Sequence, residues 1–135
     1  MEKPKLFNIS MFLLRLVLGT VFIVHGAQKL FGMFGGIGLD GTSKLIEGLG
    51  FSEPYVFAII WGSVEFIGGV FLLLGVLARW AAVAIVLTIL VYLCRVDLAY
   101  SSLFQYSVIE HNVIIIATCL PVMLMGGGSW SVWDV

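Results

Sequence analysis

Apolar residues fill four long runs of this chain, and polar residues collect between them. The runs cover about 9–31, 54–77, 79–96 and 106–125. A helix needs roughly 20 apolar residues to cross a bilayer. The pattern therefore predicts an all-α integral membrane protein, a four-helix bundle. Ser52 is the expected N-cap of the second span, with Pro54 tolerated in its first turn. The third span follows almost directly, which predicts a tight antiparallel hairpin. Pro121 falls inside the fourth span, where it removes one backbone bond and frees the carbonyl of Ala117. "MGGGS", residues 125–129, ends that helix. The one long connection, "FGGIGLDGTSKLIEGLGF", is glycine-rich and then weakly amphipathic. It predicts a short interfacial helix capped by Asp40, with Leu45, Ile46 and Leu49 resting on the bilayer surface.

Composition strengthens this picture. Of 135 residues, 61% are hydrophobic and 11% charged, and the mean hydropathy is +1.12. A soluble domain of this size needs more polar surface. One membrane domain, 1–135, is expected. Lys3 and Lys5 precede the apolar run from Ile9 to Val24, which is longer than the roughly 7–15 residues of a signal-peptide core. It reads as a retained first span. The net charge is −1 and the basic residues are scattered, so no nucleic-acid partner is indicated. Lys3, Lys5 and Arg79 flank one end of the bundle, and Lys44 and Arg95 the other, with Lys29 nearby. The positive-inside rule slightly favours cytoplasmic termini in a cell membrane. Trp80, Trp130 and Trp133 would then form the inner aromatic belt, with Tyr55 and Tyr100 at the outer interface.

Ionisable groups inside spans cost about 2.5–3.5 kcal/mol each at the bilayer centre and mark functional sites by default. At about 1.5 Å rise per residue, His25 and His111 lie roughly 7 Å outward of the middle of their spans. Trp61 and Tyr92 reach the same level, and Glu110 lies one residue further out. Glu65 falls near the midplane and Arg15 in the inner half. Four spans thus contribute polar or aromatic groups to one outer layer, as a chamber would require. On a helical wheel Arg15, Gly19, Phe22, Gly26 and Lys29 share a stripe flanked by His25, while Gln28 points away from Arg15. Trp61, Gly62, Glu65, Gly68 and Gly69 share a face of the second span. Glu110, Ala117 and Pro121 align in the fourth, with His111 adjacent, and these faces are expected to point inward.

Each residue also has a plainer reading. A lysine near a helix end, such as Lys29, ordinarily snorkels to the headgroups. Arg15 and Glu65 could neutralise each other across two helices. His25 could hydrogen-bond a facing helix. Glu110 beside His111 suits a proton relay, or a polar patch inside the headgroups. Trp61 and Tyr92 could stack on a ligand or simply pack. His25 and His111 could ligate a b-type haem, but no attachment motif supports it, and no metal cluster is apparent. Cys94 and Cys119 are separated vertically by on the order of 12 Å, too far for a disulfide.

"LLRLVLGTVFIVHGAQKLFG", "GLDG", "VEFIGGVFLLLGVLARWAA" and a glutamate opening the last span together resemble the DoxX family. Arg15, His25, Gly26, Gln28 and Lys29 match its first-span motif. Glu65, Gly68, Gly69, Gly75 and Arg79 match the second, and Glu110 the fourth-span glutamate. Arg95 stands where members often have a histidine, and Asp134 falls one place late. The resemblance implies a small four-helix bacterial or archaeal membrane protein. Members are linked to terminal quinol oxidase, to thiosulfate:quinone oxidoreduction, and to membrane complexes handling thiol and oxidative stress. The expected function is a quinone-linked membrane subunit of an oxidoreductase complex with a partner redox subunit. His25, Glu65, Glu110 and His111 are the candidate catalytic groups. Arg15, Lys29, Trp61 and Tyr92 are the candidate ligand-binding groups. The alternative is a non-catalytic scaffold, or a binder or transporter of a small apolar molecule. The glycine faces could pack within the chain or between copies, which leaves a homo-oligomer open.

Overall fold

The computed structural model describes residues 3–48, 50–99 and 103–126. Leu49, Tyr100, Trp130, Trp133 and Asp134, and the side chains of Lys3 and Arg95, lie outside the described part. Five helices follow in order: α1 (Lys3–Phe31), α2 (Gly38–Gly48), α3 (Pro54–Leu74), α4 (Ala78–Ala99) and α5 (Leu103–Met125). No sheet occurs among the described residues. Among the described residues, two helices are long and apolar enough to cross a membrane, Lys5–Phe31 and Pro54–Leu74. Ala78–Cys94 of α4 and Glu110–Met125 of α5 are apolar stretches as well. Leu13, Val17, Ile67, Leu87, Val113, Ile114 and Leu124 are all at least half exposed on the outside. A continuous apolar exterior of this kind suits hydrocarbon and not water. The architecture is that of a helical membrane bundle.

Glycine sets the distance between α1 and α3. A Cβ on Gly26 would stand 2.5 Å from the Phe66 nitrogen, and one on Gly19 would stand 2.8 Å from the Gly69 carbonyl oxygen. The two antiparallel backbones touch, as small residues allow where no hydrophobic force drives helices together in lipid. Further along, the expected hairpin forms. Gly75 adopts φ +76°, its N–H bonds the Leu72 carbonyl, and the Val76 N–H bonds the Phe71 carbonyl at 2.9 Å. This Schellman closure ends α3 at Leu74, three residues before the expected end of the span, and lets α4 begin at Ala78. Gly126, with φ +76°, ends α5.

Three local expectations are corrected. The N-cap of α3 is Glu53, not Ser52, and it makes no side-chain capping bond. Pro54 at the first helical position removes one of the N–H groups that a helix start leaves without a partner. Asp40 sits within the first turn of α2, which starts at Gly38 with φ +72°. Ile46 does not rest on the bilayer: it is buried in the protein with Thr42, because α2 tucks against α1 and α3. Thr42 Oγ1 donates to the Gly38 carbonyl at 2.8 Å and approaches the Lys29 carbonyl at 3.5 Å. That contact fixes α2 over the end of α1.

Replacing Gly26 by leucine should force α1 and α3 apart and cost at least the roughly 1–3 kcal/mol typical of overpacking. Gly48→Ala adds a Cβ to open space and should leave stability unchanged or slightly raised. Thermal unfolding of both variants in mild detergent checks the pair.

Candidate functional site

The close approach of α1 and α3 brings Lys29 to Glu65. Glu65 is 3% exposed. Lys29 Nζ lies 3.0 Å from Glu65 Oε1 and donates to Oε2 at 3.1 Å. The His25 Nδ1 atom stands 3.9 Å from Oε2, one helical turn back along α1. Burying a charge without a partner is prohibitive, so the carboxylate and the ammonium require each other. The ammonium also lies 4.4 Å from the centre of the Trp61 ring, on its electron-rich face. Trp61 in turn stacks on Tyr92 of α4, with centroids 4.8 Å apart and planes at 31°. The indole N–H of Trp61 is buried within electrostatic reach of the Glu65 carboxylate, without a hydrogen bond of normal geometry.

Across from this cluster, α5 contributes His111. Its ring centroid lies 6.1 Å from that of His25, and Phe22 packs edge-on against His25 at 6.3 Å. A cavity of about 420 Å³ lies between these groups. Gln28, Asn112, Ile89 and Ile115 complete its wall. The lining is rich in hydrogen-bond donors around one carboxylate that Lys29 already neutralises. Such a chamber suits a small, uncharged or anionic molecule carrying acceptor oxygens. Among the described residues, no three His, Cys, Asp or Glu side chains are grouped to hold a metal ion. Cys94 is exposed and Cys119 buried, and both are free.

His25, Lys29, Trp61, Glu65, Tyr92 and His111 are thus brought together. Two candidates are not. Arg15 is fully buried near the middle of α1, where its Nη1 donates to the Leu72 carbonyl at 3.4 Å in the last turn of α3. The guanidinium meets the negative end of a helix there. Glu65 takes Lys29, not Arg15, as its ion-pair partner. Glu110 is exposed and does not line the cavity. The expected inward stripe of Glu110, Ala117 and Pro121 faces outward instead; Ile115, Cys119 and Val122 are the buried positions of α5. Snorkelling is likewise corrected for Lys29, whose side chain folds inward. Gln28, on the side of α1 away from Arg15, lines the cavity and donates to the Phe34 carbonyl at 3.3 Å. Phe34 holds a left-handed φ of +53° and Gly36 packs directly on Gln28. Asn112 was missed, although the run Glu110–His111–Asn112 is the most polar part of its span.

Fold and site together define a small helical membrane protein with a polar chamber built on a buried ion pair. Residues 10–97 match the DoxX family, and the chain belongs to it. A protein of Bacillus subtilis (strain 168) named "Putative oxidoreductase CatD" is 34% identical over 86 residues, 64% of this chain and 58% of that protein. The match thus spans less than two thirds of the relative's length. No solved structure matches the chain. The family match takes in the chamber walls on α1, α3 and α4, while His111 and Asn112 on α5 fall beyond it.

Lys29→Met should cost about 3–5 kcal/mol, the scale for stranding one member of a buried pair. The double variant Lys29→Met/Glu65→Gln should recover most of that loss. A double-mutant cycle of detergent unfolding free energies measures the coupling.

Proposed function

We propose that the chain is the quinone-binding membrane subunit of an oxidoreductase complex, spanning the bilayer four times with both termini cytoplasmic. The observation that carries this reading is the chamber itself: an aromatic wall, Trp61 on Tyr92, beside a neutralised carboxylate and two imidazoles. A quinone head presents a flat ring and two carbonyl oxygens. The stacked pair offers the ring a face. His25 and His111, neighbouring rings from α1 and α5, offer donors to a carbonyl. Family membership and the oxidoreductase name of the Bacillus relative support a redox setting.

Reduction of a quinone to a quinol takes up two electrons and two protons. The electrons come from a donor oxidised on a partner subunit, of the thiol or thiosulfate class that the family resemblance implies. This chain holds the acceptor and relays protons through His25, His111 and Glu65, the titratable groups nearest the head. Glu110, in the first half of α5, faces away from the chamber and belongs to no step of this scheme.

Protein purified in mild detergent should carry quinone near one per chain by solvent extraction and mass spectrometry. His25→Ala and Glu65→Gln should each lose most of it, and Glu110→Gln should keep it. A folded wild type with no bound quinone and no turnover with an added donor would favour the scaffold alternative.

A further inference from the structure

A second, smaller cavity adjoins the chamber. It measures about 160 Å³ and is bounded by Ile46, Phe51, Phe57, Ile60, Leu87 and Val91. Trp61 and Tyr92 line it as well. The same two rings line the polar chamber, so one stacked pair is the partition between two compartments of opposite character. One compartment holds the carboxylate, the ammonium and the imidazoles. The walls of the other are almost wholly hydrocarbon. Ile60, Leu87 and Val91 at its rim are 40–60% exposed on the outer faces of α3 and α4, so the cleft opens sideways, where lipid chains would lie. On its remaining sides Ile46 of α2 and the Phe51–Phe57 ring pair, 4.4 Å between centroids, close it off.

We infer that the apolar cleft is a tail site: it takes the first part of a hydrocarbon chain whose polar ring occupies the chamber, and the Trp61–Tyr92 pair marks the junction. This rests on the head-group reading above and adds to it the substrate class, a chain-bearing amphiphile that enters from the bilayer rather than a small water-soluble acceptor. The cleft is small, about 160 Å³. It holds a short stretch of chain, and the rest trails into lipid between α3 and α4. A chain moving from bilayer to cleft gains no hydrophobic transfer energy, because lipid tails are as apolar as leucine. What it gains is packing against fixed walls and a fixed position for the head.

The test uses full-length protein in bilayer discs free of native quinone, with a methylated benzoquinone carrying either no chain or a decyl chain. Equilibrium binding is measured at fixed protein and lipid content for wild type, Thr88→Phe, Val91→Phe and Glu65→Gln. Thr88 and Val91 line the cleft and not the chamber, so the two phenylalanines obstruct the tail only. Comparison with wild type at the same lipid content removes the chain's own partition into the bilayer. The decyl probe should bind wild type about tenfold more tightly than the chainless one, on the scale of packing terms in lipid. Either phenylalanine should abolish that ratio and leave the chainless affinity unchanged. Chainless binding that depends on Glu65, with a decyl ratio that persists in both folded variants, would overturn the tail site alone. That result would leave the cleft to bulk lipid. Chainless binding that is absent, or indifferent to Glu65→Gln, would remove the head site and the junction with it.

Discussion

Lys29 reaches Glu65 at 3.0 Å inside a bundle whose outer surface is hydrocarbon, and the rest of the polar chamber is organised around that contact. It depends on the α1–α3 spacing, which exists only because Gly19, Gly26 and Gly69 allow backbone to meet backbone. With the ammonium fixed, Trp61 lies over it, Tyr92 lies over Trp61, and α4 is thereby tied to the ion pair. His25, one turn before Lys29, is carried to the edge of the same carboxylate and faces His111 of α5. Each helix that walls the chamber is therefore linked to the pair through a named contact.

The energetics argue that this pair serves more than cohesion. Desolvating two charges is expensive, and well-packed apolar residues of similar volume often do as well or better. In a membrane the case is stronger, since intramembrane ionisable groups are rare and costly. Arg15 shows the contrasting solution. It is also buried, but it is spent on the carbonyl of Leu72 at the end of α3. Arg79 reaches the Leu124 carbonyl at 3.4 Å in the last turn of α5 in the same manner. Two arginines thus meet negative helix ends, while one lysine and one glutamate face a cavity.

Much of this was legible in the sequence. The helices, the α3–α4 hairpin and the convergence of His25, His111, Trp61 and Tyr92 follow from span length and rise per residue alone. Direction around the helix axis was harder. In a span that is apolar on every side, periodicity carries little information about which face turns inward. Roughly 150° around the wheel separates the expected Glu110 stripe from the buried Ile115–Cys119–Val122 positions. Lys29 carries two readings in the sequence because headgroups and a buried carboxylate compete for the same ammonium, and only the neighbouring helix decides between them. Gln28 depended on a left-handed turn at Phe34 and on the close seat of Gly36, neither of which a helical wheel contains.

The most direct test of the central claim separates the pair's role in folding from its role in recognition. In the Lys29→Met/Glu65→Gln double variant both charges are gone together, so no unpaired charge remains to unfold the bundle. If the pair belongs to a ligand site, the purified double variant will unfold near the wild-type temperature and carry no quinone on extraction. A double variant that is equally stable and still holds the wild-type complement of quinone would contradict the account.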